Sequence, residues 1–163
     1  MATVYFEQID WNEAWKQAFD IDCAHTEGEE YWDGDSERFN LRPLMDDYTR
    51  KALAVLEVAG SYSLLDIGCG VGNLAIPLAK KVRTVTALDI SSKMLDYLQQ
   101  KARQAGVGNI NCMHKDWLQV KVGEDLLPHD VVISSCSMIT SNPREAILKM
   151  DQAARNRVYI IWG

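Results

Sequence analysis

The second half of the chain alternates short, β-rich apolar runs with amphipathic helical segments, and few folds accommodate this alternation. The runs at 64–67, 85–88 and 131–133 are apolar on both faces, as is typical of strands buried between two layers of helices. Further strand candidates lie at 109–114 and 158–162. We therefore expect an α/β fold with a doubly wound, mostly parallel sheet of about five strands.

The first part of the chain shows helical patterns separated by polar breaks. Trp11, Trp15 and Phe19 recur every fourth residue and would share one face of a helix. A second helix is expected to begin at Pro43 and to stop at Gly60. Its apolar stripe comprises Leu44, Tyr48, Ala52 and Val55.

Composition limits the class of protein. With 163 residues, of which 47% are hydrophobic, the chain suits one structural domain, divided into an N-terminal helical segment at 1–60 and a core at 61–163. No apolar run approaches the roughly 18 residues of a membrane helix, and the chain begins with acidic residues where a signal peptide would be basic. The cysteines lack zinc-site spacing. We expect a soluble cytoplasmic protein with reduced thiols and no metal site.

The charge balance bears on the partners. The formal net charge is −6, and no basic cluster is long enough to neutralise several phosphates together. We therefore expect no nucleic-acid partner and no membrane partner.

The most informative stretch is a strand that ends in three alternating glycines, Gly68, Gly70 and Gly72, and leads into a helix. Glycines let the chain turn tightly after the strand, and they leave room for a ligand to approach the backbone. Such turns also occur at NAD and flavin sites, so the loop alone does not identify the ligand.

Asp89, at the end of the second strand, narrows the class of ligand that this loop would bind. A carboxylate at this position can accept hydrogen bonds from both hydroxyls of a ribose. A nucleoside-containing ligand is therefore expected. The alternative is that Asp89 caps the helix that begins near Ser91.

Two features favour S-adenosylmethionine over a dinucleotide. Gly72 lies two residues after Gly70, and Asn73 occupies the place of the third glycine in the dinucleotide fingerprint. Asp66, two residues before the first glycine, would repel a pyrophosphate but would attract the ammonium and sulfonium of S-adenosylmethionine. Charge complementarity therefore points to the methyl donor.

The stretch from Asp66 to Asn73, followed by Asp89 at the end of the next strand, resembles motif I and the acidic second-strand motif of class I S-adenosylmethionine-dependent methyltransferases. The resemblance covers about residues 60–163. It implies a Rossmann-like core that binds S-adenosylmethionine and methylates a small molecule. The sequence leaves the identity of that acceptor open.

The resemblance also implies roles for individual residues. Asp66, Gly68 and Gly70 would surround the methionine moiety, Asp89 would bind the ribose, and Ile90 would pack on the adenine. Asp116 would receive the adenine amino group beside the backbone of Trp117, unless it is an ordinary solvated loop carboxylate. The expected cofactor-binding residues are Asp66, Gly68, Cys69, Gly70, Gly72, Asp89, Ile90, Met94, Asp116, Trp117 and Ser134.

Departures from the family pattern limit the acceptor. After the fourth strand, at 134–136, the branches that methylate nucleic-acid bases carry Asn or Asp with two prolines, or a Pro-Cys nucleophile, and this sequence has neither. We expect Cys136 to be a small buried thiol, with a nucleophile as the alternative. No catalytic residue is assigned, because displacement at a methyl carbon depends chiefly on alignment.

The stretch from Tyr31 to Asn40 resembles the lead-in segment that many small-molecule methyltransferases fold over the cofactor, so residues 1–60 are expected to form a lid. Ordinary packing against the sheet is the alternative for its aromatic residues. His25 is the best-placed proton acceptor of this segment, the alternative being a polar surface histidine.

The family's sheet has seven strands, whereas this chain stops just after the fifth, at 158–162. An apolar unpaired edge invites association, so we expect a homodimer in which two copies pair this edge or exchange an element, unless the chain's own N-terminal helices cover the edge or the chain is a fragment. Two other functions stay open. One is an NAD-dependent oxidoreductase, and the other is a catalytically inactive cofactor-binding module.

Overall fold

The computed structural model describes residues 10–22 and 28–162, with side chains from 10–19 and 28–162. Within these ranges six α-helices flank a five-stranded sheet. The helices are α1 (Trp11–Asp22), α2 (Glu29–Asn40), α3 (Asp47–Val55), α4 (Ala75–Ala79), α5 (Ser92–Gln104) and α6 (Pro143–Ala153). The strands are β1 (Ser63–Ile67), β2 (Thr84–Asp89), β3 (Ile110–His114), β4 (His129–Ser135) and β5 (Ala154–Ile161).

The sheet has the order β3-β2-β1-β4-β5, and every neighbouring pair is parallel. This confirms the expected doubly wound α/β architecture. The chain runs outward from β1 to β3 and then returns to the other side of β1 as β4. A crevice at the carboxyl ends of the strands is typical of such a reversal.

Both faces of the sheet are covered, as the apolar strand sequences predict. Leu64 and Leu65 of β1 are each 0% exposed and belong to different cores. The Leu64 core includes Leu98 of α5, and the Leu65 core includes Met150 of α6. Successive side chains of a strand point to opposite faces, so α5 and α6 lie on opposite sides of the sheet.

The second helix predicted from the sequence corresponds to α3, and the expectation that it begins at Pro43 is wrong. Helix α3 begins at Asp47, where the Asp46 carboxylate accepts a hydrogen bond from the Thr49 N–H at 2.7 Å. This side-chain cap satisfies a free N–H of the first turn and so favours a helix start at Asp47. The helix also ends at Val55, before Gly60, and Val55 is 59% exposed rather than part of a buried stripe.

Two other helices differ from the sequence pattern. In α1, Phe19 is 5% exposed, but Trp11 is 59% and Trp15 38% exposed, so the predicted aromatic face is only partly buried. The pattern did not predict α2, because this segment is strongly polar and contains Gly34. Its packing against α5, described below, overrides that low propensity.

Membrane-spanning helices and metal-binding clusters are both absent from the described residues. In the ranges given above, no helix is long and apolar enough to cross a membrane. The same described residues contain no cluster of three side chains from His, Cys, Asp and Glu that is suited to hold a metal ion.

Candidate functional site

A cavity of about 830 Å³ opens at the carboxyl ends of β1, β2 and β4. Its wall includes Ile67, Asp89 and Ser135, the last residues of these three strands. Trp32 of α2 and Tyr48 of α3 contribute from the N-terminal side. Position and volume are those of a small-molecule site in an open α/β sheet.

Most of the expected cofactor-binding residues line this cavity. They are Asp66, Gly68, Cys69, Gly70, Asp89, Ile90, Met94, Asp116 and Trp117. Gly72 and Ser134 lie away from the wall. A Cβ at Gly72 would stand 2.8 Å from Leu98 Cγ, so this glycine permits close helix packing. Ser134 is 1% exposed, and its hydroxyl shares a 2.7 Å hydrogen bond with that of Ser137.

The glycine loop is clamped between two strands. The N–H groups of Gly68 and Cys69 donate to the carbonyl of Leu88 at 2.8 and 3.1 Å, which ties the loop to β2. On its other side, a Cβ at Gly68 would lie only 2.3 Å from the Cβ of Ser137, after β4, and φ of Gly68 is 65°. Only glycine fits there, and the loop backbone is thereby held at the cavity.

Asp89 organises the loop as well as facing the cavity. Its Oδ2 accepts a hydrogen bond from the Gly70 N–H at 2.7 Å, and its Oδ1 accepts one from the Ser91 N–H at 2.9 Å. Burial raises the pKa of Asp89, and these backbone hydrogen bonds oppose the rise. The cap of α5 is the Ser91 hydroxyl, which accepts from the Met94 N–H at 3.1 Å, so Asp89 is not merely a helix cap.

Two buried oxygens in the cavity wall lack a donor. Oδ2 of Asp66 and Oδ1 of Asn73 have no hydrogen-bond partner within the described part of the chain. Burial, followed by the negative charge of Asp89, raises the pKa of Asp66 to about 8. A ligand with a positively charged N–H group would satisfy both oxygens and relieve this electrostatic cost.

Another part of the cavity wall is more apolar. Ile90, Met94 and Trp117 lie there, and Met94 is 2% exposed. The carboxylate of Asp116 accepts a hydrogen bond from the Leu118 N–H at 2.9 Å and caps the short 3₁₀ helix Trp117–Gln119. The residue types suit a purine, with apolar neighbours for its faces and a carboxylate for an exocyclic amine.

Sequence reasoning missed how α2 is attached to the core. Asp33 Oδ1 accepts hydrogen bonds from the Ser91 hydroxyl at 2.5 Å and from the Lys93 N–H at 3.2 Å, at the N-terminus of α5. Burial acts to raise the pKa of Asp33, but the hydrogen bonds from Ser91 and Lys93 hold it below its ordinary value. A carboxylate is favoured at this end of a helix. We call this contact the Asp33 latch.

Replacing Asp33 by alanine is expected to lower the free energy of unfolding by about 1 to 2 kcal/mol, since a charged hydrogen bond at a helix N-terminus is lost. Urea titration measures this change in the free energy of unfolding. Asp35→Ala is the matched control, because Asp35 lies on the same helix but pairs only with the exposed Arg38. It should cost less than about 0.5 kcal/mol. Equal losses in both variants would contradict the role given to the latch.

The expectation that Cys136 is buried is wrong. Cys136 is an exposed free cysteine in the cavity wall, with φ of 53°. Strand β4 ends at Ser135, and the positive φ turns the next residue out of the sheet layer. His25, the other candidate for chemistry, lies outside the described residues.

Comparison with known proteins gives a consistent family. Residues 64–156 match the sequence profile of a family described as "Methyltransferase domain". An uncharacterized protein of Haemophilus influenzae is 35% identical over 113 residues, which are 69% of this chain and 41% of that protein. A 23S rRNA (uracil(1939)-C(5))-methyltransferase of Aliivibrio fischeri is 31% identical over 70 residues, 43% of this chain and 16% of its own. The chain therefore spans less than half the length of these relatives.

A solved structure agrees with this match. The magnesium protoporphyrin IX methyltransferase of Synechocystis PCC 6803, with bound S-adenosylhomocysteine, superposes with a TM-score of 0.65 at 26% identity. The likeness covers 81% of this chain and 68% of that one.

Proposed function

Because this chain belongs to the methyltransferase-domain family, whose members depend on S-adenosylmethionine, we propose that its cavity binds that cofactor and that a small molecule receives the methyl group. The cofactor supplies an electrophilic methyl group on a sulfonium. The protein's part is to bind the cofactor, to align the acceptor with the methyl and to exclude competing water. The family match sets the NAD-dependent oxidoreductase aside.

The observation that carries the proposal is the pair of buried acceptor oxygens without a donor, on Asp66 and Asn73. The ammonium of the methionine moiety offers three N–H donors and a positive charge, so it fits both oxygens. A pyrophosphate offers neither. We place the methionine moiety beside Asp66, the ribose on Asp89 and the adenine near Trp117.

A small acceptor is supported by three observations. The cavity has the volume of a small-molecule site, the chain carries a formal net charge of −6, and the solved relative from Synechocystis is a magnesium protoporphyrin IX methyltransferase. The likeness to the rRNA enzyme covers 43% of the chain, whereas the likeness to the Synechocystis enzyme covers 81%. The free thiols of Cys69, Cys112 and Cys136 support a reducing compartment such as the cytoplasm.

The proposal is tested by binding first and by transfer second. Calorimetry should detect binding of S-adenosylmethionine and S-adenosylhomocysteine but no binding of NAD. Methyl-labelled cofactor is then offered with a panel of small hydroxyl, amine and thiol compounds and, separately, with RNA. Label in a small compound is the expected result. Label in RNA alone would replace the small acceptor by a polynucleotide, and failure of both cofactors to bind would overturn the proposal.

The edge of β5 supports a further proposal, a homodimer in which two copies of this strand pair. Strand β5 is an edge strand in which Ile160 is 43% exposed, and Trp162, just after the strand, is 62% exposed. Unpaired apolar edges of this kind favour association.

Ile160→Lys should convert that dimer to a monomer, because two lysines would meet at the paired edge. Light scattering at micromolar concentration measures the mass. Leu148→Lys is the control, since Leu148 is similarly exposed at 47% but lies on α6. A monomeric wild-type protein would exclude the dimer.

A further inference from the structure

Three side chains in the cavity wall form a hydrogen-bonded unit that the cofactor site does not use. Tyr48 Oη lies 2.7 Å from Ser135 Oγ, and the Cys136 thiol donates to the same Oη at 3.1 Å. All three residues line the cavity. We call this unit the Tyr48 cluster.

The backbone holds the Tyr48 cluster against the glycine loop. Ser135 ends β4, the Cys136 N–H donates to the Ile161 carbonyl of β5 at 2.9 Å, and the Ser137 hydroxyl donates to the Ile67 carbonyl of β1 at 2.6 Å. Cys136 keeps a left-handed backbone, with φ of 53°, that non-glycine residues rarely adopt. Such a conformation persists where surrounding contacts impose it, as they do here.

The phenol of Tyr48 retains hydrogen-bonding capacity. A phenol oxygen accepts two hydrogen bonds and donates one, and the thiol and Ser135 account for two of these three. Burial and the neighbouring Cys136 raise the pKa of Tyr48, so the phenol is neutral at physiological pH. If it donates to Ser135, one lone pair is left for a ligand.

Two other polar side chains of the cavity wall, those of Asp46 and Ser137, already have hydrogen-bond partners. The Asp46 carboxylate accepts from the Thr49 N–H at 2.7 Å, and the Ser137 hydroxyl is shared between Ile67 and Ser134. A role for Tyr48 in packing alone would not require two polar partners at the cavity surface.

We propose that Tyr48 binds the methyl acceptor, accepting a hydrogen bond from its attacking hydroxyl or amine group, and that Ser135 and Cys136 are positioning residues for the phenol. This rests on the proposed function. The acceptor's lone pair forms the bond to the methyl carbon, the carbon–sulfur bond breaks with its electrons left on sulfur, and the acceptor's proton passes to water. The acceptor class is then a neutral alcohol, phenol or amine.

The thiol of Cys136 provides a probe that requires no acceptor. S-adenosylmethionine and S-adenosylhomocysteine differ by one methyl and one positive charge. If the Tyr48 cluster faces the methyl, alkylation of the Cys136 thiol at a fixed pH should be several-fold faster with bound S-adenosylmethionine than with bound S-adenosylhomocysteine, because a nearby positive charge favours the reactive thiolate. Iodoacetamide labelling followed over time by peptide mass spectrometry gives that rate, with Cys112 on β3 as the internal reference.

Tyr48→Phe tests the phenol itself. Both cofactors should bind as in the wild type, because in this proposal the phenol contacts the acceptor rather than the cofactor. With the acceptor found in the panel, kcat/KM should fall about 10- to 100-fold. Tyr159→Phe is the matched control, because the Tyr159 hydroxyl accepts from the Glu57 N–H and lies outside the cavity wall.

The outcomes separate the two proposals. If neither cofactor binds, the proposed function fails and this inference falls with it. If both bind but change the alkylation rate of Cys136 equally, only the placement of the Tyr48 cluster at the methyl is overturned. Unchanged transfer by Tyr48→Phe would overturn the acceptor contact.

Discussion

Asp89→Ala is expected to weaken S-adenosylmethionine binding about 30- to 700-fold, because two hydrogen bonds from ribose hydroxyls to a carboxylate together contribute about 2 to 4 kcal/mol. The structure adds a second reason. The Asp89 carboxylate also accepts hydrogen bonds from the N–H groups of Gly70 and Ser91, so the glycine loop loses one of its ties to the end of β2. Isothermal calorimetry measures the effect.

Asp89→Asn is the companion variant. Its amide oxygen still accepts one set of hydrogen bonds, so the loss should be smaller than that of the alanine variant. The fold is checked by circular dichroism in both. An unchanged dissociation constant in folded Asp89→Ala would show that Asp89 does not bind the ribose.

Asp66→Asn should have opposite effects on stability and on binding. The pKa of Asp66 is raised to about 8 in the folded protein, whereas an unfolded chain has the ordinary value of 3.8. The folded state therefore loses stability as the pH rises between these values. At pH 8 the asparagine variant should be more stable than the wild type by about 2 to 5 kcal/mol. Its affinity for S-adenosylmethionine should fall about 10- to 150-fold, since a charged partner of the ammonium is lost.

Urea unfolding at pH 5 and pH 8, with calorimetry of binding, measures both effects. Asp130→Asn is a control of opposite sign, because hydrogen bonds from the Ser63 N–H and hydroxyl lower the pKa of Asp130. Its ionised form stabilises the fold at neutral and higher pH, and that stability is lost as the pH falls through the lowered pKa, so this variant should be less stable than the wild type at pH 8. If Asp66→Asn is also destabilised at pH 8, the charge of Asp66 carries no cost in the fold.

The features that sequence alone predicts are those in which neighbouring residues determine the structure. Strand β1, the glycine turn from Gly68 to Gly72 and the helix α4 that follows it are determined by local residue types, and β2 ends with Asp89 where the pattern predicts it. Their shared cavity follows from the rule that parallel strands place their carboxyl ends at one edge.

The features that sequence does not predict depend on contacts between distant segments. Helix α2 has a polar sequence, and its own Asp33 attaches it to the N-terminus of α5. The Tyr48 hydroxyl likewise contacts the Cys136 thiol, 88 residues away in the sequence. Cys136 was expected to be buried because cysteine usually is, whereas a positive φ after β4 turns it outward. No periodicity in the sequence encodes these pairings.

The Asp33 latch makes two equilibria interdependent. Ser91 donates its N–H to Asp89 and its hydroxyl to Asp33, so one residue contacts both the proposed ribose site and helix α2. Any free energy by which a bound nucleoside stabilises this turn also favours the docked helix. By thermodynamic reciprocity, docking of the helix strengthens nucleoside binding by the same factor. If the nucleoside binds at Asp89 as proposed, its affinity therefore depends on the docking of helix α2 as well as on the glycine loop.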